Sequence, residues 1–326
     1  MRMRRVLGDP GVAYHCLSRV VDRRMVLGEA EKEKFRSIMR SVEAFSGVRI
    51  LTYAILSNHF HILVQVPRRK VLSDETLLRR LGYLYDKSYV REIRKQLEAH
   101  RAEGREDRAD RLREKYLRRM VDLSEFMKTL KQRFTQWFNR SHERKGTLWE
   151  ERFKSVLVQF NPGALRTMAT YIELNAVRAG LVEDPKDYRF CGYAEAVAGK
   201  RWSRQGIGLA LGMGAGDWRR ISRAYRQMIY VRGEHSVKRH GISPARVRQV
   251  IDEGGVLSRQ ELMQCRVRYF SDGLVLGTRA FVEGVFAKQR DQFGAKRKSG
   301  ARPMRYGDWD GLCTMRDLRR RVLFAE

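Results

Sequence analysis

His59-Phe60-His61 places two imidazoles around one apolar residue inside a run that reads as a buried strand. Side chains alternate along a strand, so both rings leave one face while Phe60 packs behind them. Such a pair can clamp a metal ion, and it can equally hydrogen-bond within a sheet; further ligands have to decide. A second set lies downstream. Asn161 as N-cap, Pro162 in the first turn and the stripe Leu165, Met168, Ala169, Ile172 predict a helix over 162–177. Tyr171 and Asn175 are four apart and share a face of it. A phenol able to act as nucleophile would then project beside a carboxamide oxygen that suits a hard metal ion. Taken alone, Tyr171 is also compatible with an ordinary half-buried tyrosine.

The elements that must position these residues follow from periodicity. Gly11 to Val20 is expected as a strand and Glu29 to Phe45 as a helix with Phe35, Ile38, Met39 and Val42 inward. Val48 to Leu56 and His59 to Val66, separated by Ser57-Asn58 and stopped by Pro67, read as adjacent antiparallel strands. Leu123 to Asn139 is a further apolar-striped helix and Phe153 to Phe160 a fourth strand. The order β-α-β-β-α-β is that of an α+β, ferredoxin-like sandwich. That fold hosts unrelated activities, RNA-recognition modules among them. Such a module would show stacking aromatics on its central strand, where this chain has His59 and His61.

With 67 Lys+Arg against 38 Asp+Glu, the formal charge of +29 suits a polyanionic partner. No apolar run approaches the roughly 20 residues of a membrane span, and no signal-peptide core is seen, so nucleic acid rather than a membrane, and a cytoplasmic location, are expected. Four scattered cysteines without a Cys-x-x-Cys pair suggest neither a disulfide framework nor a zinc knuckle.

Three segments together carry a family likeness: His59-Phe60-His61, the block from Asn139 to Ser155 (Asn-Arg-Ser-His-Glu-Arg-Lys-Gly-Thr-Leu-Trp-Glu-Glu-Arg-Phe-Lys-Ser), and the block from Tyr171 to Val182. From about Tyr14 to about Tyr193 the chain resembles the REP-associated tyrosine transposases, relatives of the single-tyrosine HUH transposases. It departs from them at Ala176, where the family has proline, and in a longer middle segment. The resemblance implies that Tyr171 is the nucleophile, that His59, His61 and Asn175 hold Mg²⁺ or Mn²⁺, and that the substrate is single-stranded DNA at imperfect hairpins, the repetitive extragenic palindromes. The implied products are a 5′-phosphotyrosyl adduct and a free 3′-hydroxyl. Two rival classes remain: a non-catalytic DNA-binding regulator derived from such an enzyme, and a metal-dependent hydrolytic nuclease in which Tyr171 is structural. Both a monomer and a dimer are compatible, the monomer being the expectation.

The remaining candidates are DNA contacts. Arg140, His142, Arg144 and Lys145 form a basic loop; Trp149, Arg152 and Lys154 combine a stacking platform or core anchor with charge; Arg178 follows the tyrosine helix. His15, in the first strand, is expected to be structural or substrate-facing. A catalytic domain over 1–195 with a helical insertion at about 68–122, mostly solvated, and a mainly helical, basic C-terminal extension over 196–326 complete the expectation. Within the extension, Gly199 to Gly216 reads as a linker or turn segment; Trp218 to Arg232, Ser243 to Asp252, Ser258 to Tyr269 and Thr278 to Gln289 read as helices.

Overall fold

Two strands flank β1 (Ala13–Arg19), which is hydrogen-bonded antiparallel to β3 (His59–Gln65) on one side and to β4 (Lys154–Val158) on the other. With β2 (Arg49–Ile55) outside β3, the order β2-β3-β1-β4 is the antiparallel ferredoxin-like arrangement expected from the element order. The computed structural model describes residues 6–9, 11–229, 268–304 and 309–315.

One face of this sheet is covered by α1 (Glu29–Ser46) and α5 (Leu123–Ser141). Phe35, Met39 and Val42 recur at helical spacing and bury one face of α1, and Gly47 ends it in the left-handed region at φ 73°. Asp122 caps α5, whose Phe134 meets Phe35 edge-on, and Phe35 in turn packs on Phe60. The residue between the two histidines is therefore a core contact between sheet and helices, and the histidines point to the opposite face. There α6 (Pro162–Glu173) lies against β2 and β3, capped by Asn161 as the sequence suggested.

The insertion forms three helices, α2 (Asp74–Leu81), α3 (Lys87–Ala102) and α4 (Glu106–Leu117). Its basic residues are partly consumed at home: Arg101 and Arg113 both pair with Asp74. The helix expected over 162–177 is broken instead at Leu174, after which α7 (Asn175–Arg178) makes one further turn.

The C-terminal part departs most from expectation. Gly199 to Gly216 is not a linker: α8 (Gly192–Val197) is followed by α9 (Arg201–Ala210), which packs on β2. A Cβ on Gly206 would stand 2.5 and 2.6 Å from the carbonyl oxygens of Leu51 and Ile50, so glycine here permits close approach of a helix to a strand. After α10 (Trp218–Ile229), α11 (Arg268–Asp272) leads into β5 (Val275–Thr278), which adds to β4 in parallel. Then α12 (Arg279–Lys288), β6 (Arg302–Pro303) and β7 (Leu312–Met315) complete a seven-stranded sheet of order β2-β3-β1-β4-β5-β7-β6. The extension expected to be mainly helical thus contributes three strands to the sheet that carries the histidines, and this sheet runs across the expected boundary at 195/196. The helices expected over 243–252 and over most of 258–269 lie outside the described residues. No helix among the described residues is long and apolar enough to cross a membrane.

Candidate active site

Register decides who meets whom on the face opposite α1 and α5. Arg19 is paired with His59, Leu17 with His61, and His15 with Leu63, so His15 and His61 are diagonal neighbours on one face. Their rings are 5.0 Å apart with planes within 14°, and His15 Nε2 lies 2.8 Å from His61 Nδ1. His59 stands edge-on to His61 at 5.1 Å, its Nδ1 held 2.6 Å from the Asn58 side-chain oxygen. His61 is 3% exposed, and burial pulls its pKa well below the ordinary value; burial likewise brings His15 down to about 4. Both imidazoles are therefore neutral at physiological pH, the form in which histidine ligates metals.

Tyr171 comes to this cluster from α6. Its ring is edge-on to His61 at 6.1 Å and to His15 at 6.2 Å. The Arg178 guanidinium stacks over the phenol ring at 4.3 Å and donates to the Tyr171 carbonyl at 2.6 Å. Phe270 of α11 packs on the other side at 4.8 Å, leaving Tyr171 2% exposed. The break after Glu173 explains Asn175: its side-chain nitrogen donates to the carbonyls of Tyr171 and Ile172, each at 3.1 Å, in the last turn of α6. Because carbonyls only accept, the amide nitrogen must face them, and Oδ1 is the end turned away.

The donor set fits a divalent ion in part. His59 and His61 share one face, each with its Nδ1 held by a neighbour, which is how metal-ligating imidazoles are oriented. Among the described residues no group of three His, Cys, Asp or Glu is placed to hold a metal, so the pair requires an oxygen such as Asn175 Oδ1 or a substrate phosphate to complete coordination.

The expected DNA contacts divide into two groups. Lys154 is paired with Leu17, which puts it on the histidine face, where it makes an ion pair with Asp272 at 3.9 Å. Arg178 belongs to the tyrosine as described. The other group lies away from the histidines. Arg140 and Trp137 border a groove between α1 and α5, behind the sheet. His142 stacks on Phe138 at 4.2 Å and contacts Glu31 at 3.1 Å, while Arg144 donates to Asn139 and to the Thr147 carbonyl, bracing its own loop. Lys145 and Arg152 are exposed. Trp149 is a correction: at 7% exposure it packs on Phe35, Phe60 and Phe134 and donates to Thr135 at 2.9 Å, so it is a core anchor and offers no face to a base.

Arg19 was missed. It continues the period-2 series His15, Leu17, Arg19 on the face that carries the histidines, a signal present in the sequence once β1 and β3 are aligned.

Residues 10–110 match the family model described as Transposase IS200 like. That span holds the histidine strand and agrees with the likeness read from the sequence; the Asn139 block and the tyrosine helix lie beyond it. Similar too is the solved structure of the REP-associated tyrosine transposase bound to a REP hairpin, at 16% identity over 61% of this chain and 87% of that one, with a TM-score of 0.41. No curated protein matches the chain.

Proposed function

We propose that this protein is a metal-dependent, transposase-like transesterase of single-stranded DNA, which nicks and rejoins at repetitive palindromic hairpins through a 5′-phosphotyrosine. The observation that carries the proposal is the convergence of Tyr171, His59 and His61 on one sheet face with Arg178 stacked on the phenol. In the forward step the Tyr171 oxygen bonds to phosphorus and the bond from phosphorus to the 3′-oxygen breaks. The phenol gives up its proton to solvent, and the departing 3′-oxygen takes one up. Reversal is feasible because a phenoxide, with an unperturbed pKa near 10, is a better leaving group than an alkoxide. A bound Mg²⁺ or Mn²⁺, held by His59, His61 and the Asn175 oxygen, would polarise the scissile phosphate. Arg19, Arg178 and Lys154 supply positive charge on the histidine face and so would draw the DNA backbone to it. Phe270 of α11 packs against the phenol ring and helps to hold it on the histidine face.

A second reading, a non-catalytic DNA-binding regulator, is favoured by one observation: Tyr171 is 2% exposed. The test is incubation of wild type and Tyr171→Phe with labelled single-stranded hairpin DNA, with Mg²⁺ or Mn²⁺ and with chelator, on a denaturing gel. A metal-dependent covalent adduct that disappears in Tyr171→Phe is the expected result. Cleavage surviving the substitution would mean a hydrolytic nuclease, and tight binding without cleavage a regulator.

A further inference from the structure

His15 lies outside the ligand set that the proposed function uses, yet it is the most constrained polar group at the site. It is 1% exposed, its Nδ1 is 2.7 Å from the Phe270 carbonyl oxygen, and its Nε2 is 2.8 Å from His61 Nδ1. The direction of this chain can be read from chemistry alone. A carbonyl oxygen only accepts, so the proton at the first contact sits on His15 Nδ1. A neutral imidazole has one N–H, so His15 Nε2 is a lone pair and must accept from His61 Nδ1–H. Neutral His61 then carries its own lone pair on Nε2. Were the chain to run the other way, His61 would bear its proton on Nε2 and could not ligate a metal through that atom.

We propose that His15 is a positioning residue that locks His61 in the tautomer with a lone pair on Nε2, the direction of the lock being set by the Phe270 backbone carbonyl. The inference rests on the metal reading of the proposed function for its purpose, but the tautomer itself is a property of the metal-free protein. It gives α11 a role at the histidine face: the C-terminal segment, through one carbonyl, fixes which nitrogen of a strand histidine carries the lone pair.

Two substitutions separate positioning from packing. In His15→Gln the side-chain oxygen can stand where Nε2 stood and still accept from His61, whereas His15→Phe keeps an aromatic ring of similar bulk but accepts nothing. Two readouts apply to the full chain: long-range ¹H–¹⁵N correlation spectra of ¹⁵N-histidine-labelled, metal-free protein, with His61 assigned by His61→Asn, and titration calorimetry with Mn²⁺ alone. The expected result is His61 protonated on Nδ1 in wild type and His15→Gln, and a mixture of tautomers in His15→Phe. Mn²⁺ affinity should fall roughly 10- to 100-fold in His15→Phe, the usual effect of removing an outer-shell partner, with most of it retained in His15→Gln. His61 protonated on Nε2 in the wild type overturns the proposal. So does an equal loss of Mn²⁺ affinity in both variants, which would mean that the site only needs the native histidine for packing. Should His15→Phe fail to fold, the wild-type and His15→Gln spectra still decide. Wild type that binds no Mn²⁺ yet shows Nδ1 protonation would count against the metal reading while leaving the lock standing.

Discussion

Two residues beyond Tyr171, Glu173 is buried within α6, accepting a hydrogen bond from Thr52 on β2 and standing 3.5 Å from the Tyr225 hydroxyl of α10; its Oε2 has no partner. Burial raises its pKa from the ordinary 4.5 to about 7. The folded state therefore holds this proton more tightly than the unfolded chain does. The associated stability is fully present below about pH 4.5 and is lost as pH rises through about 7, amounting to on the order of 3 kcal/mol. Glu173→Gln mimics the protonated acid, with its oxygen at Oε1 and its nitrogen at the unpaired position. Thermal melts between pH 5 and 8 should show wild type losing stability relative to Glu173→Gln across this window; parallel curves would mean that Glu173 does not titrate there. Trp149 supports a different kind of expectation. Because its ring fills space between Phe35, Phe60 and Phe134, Trp149→Ala should cost about 3–5 kcal/mol in chemical denaturation. The protein that remains folded should bind hairpin DNA with unchanged affinity. A loss of affinity without a loss of stability would return Trp149 to the role of a stacking platform.

The first four strands and their two covering helices were legible from local signals, apolar β-branched runs for the strands and apolar stripes at helical spacing for the helices. Phe60 between two histidines, and Phe35, Met39, Val42 at helical spacing, state their faces without help from the rest of the chain. Asn161-Pro162 likewise announces the start of α6. Its end was not legible, since nothing local says that Asn175 turns its amide back on the carbonyls of Tyr171 and Ile172. The C-terminal strands were hidden for a related reason. β5 is four residues long and β6 two, too short to display a period; β5 forms on the backbone groups that the edge of β4 offers, and β7 and then β6 pair outward from it. The glycines of 199–216 were misread as a linker because glycine marks both flexible turns and close helix contacts. Gly206 distinguishes the two experimentally. In Gly206→Ala the new methyl meets the carbonyls of Ile50 and Leu51, and α9 or β2 must shift, at a cost of about 1–3 kcal/mol. Denaturant unfolding measures this directly, and a neutral outcome would mean that α9 is loosely attached after all.

The charge of +29 belongs to the entire chain, but only part of it is available to DNA. Arg40 is spent on Glu43 and Glu195, tying α1 to α8, and Arg101 and Arg113 are spent on Asp74 within the insertion. Arg290 and Arg297 turn onto backbone carbonyls of the loop at 293–300. The histidine face gathers cations from three separate elements: Arg19 of β1, Lys154 of β4, ion-paired with Asp272, and Arg178 of α7, bonded to the Tyr171 carbonyl. Each phosphate neutralised by such a cation releases a counterion, so the logarithm of affinity for single strands should fall with the logarithm of salt by about 0.7 for every contact. Arg19→Ala should then weaken binding to single-stranded DNA of any sequence and reduce the salt slope by roughly one contact's worth. Arg111→Ala is the comparison: Arg111 is exposed on α4 and paired with Asp107 one turn away, so its removal should leave the slope unaltered. Fluorescence anisotropy over a salt series measures both. If Arg111→Ala lowers the slope and Arg19→Ala does not, the DNA runs over the inserted helices, and the histidine face would have to be reached by the hairpin's unpaired flank alone.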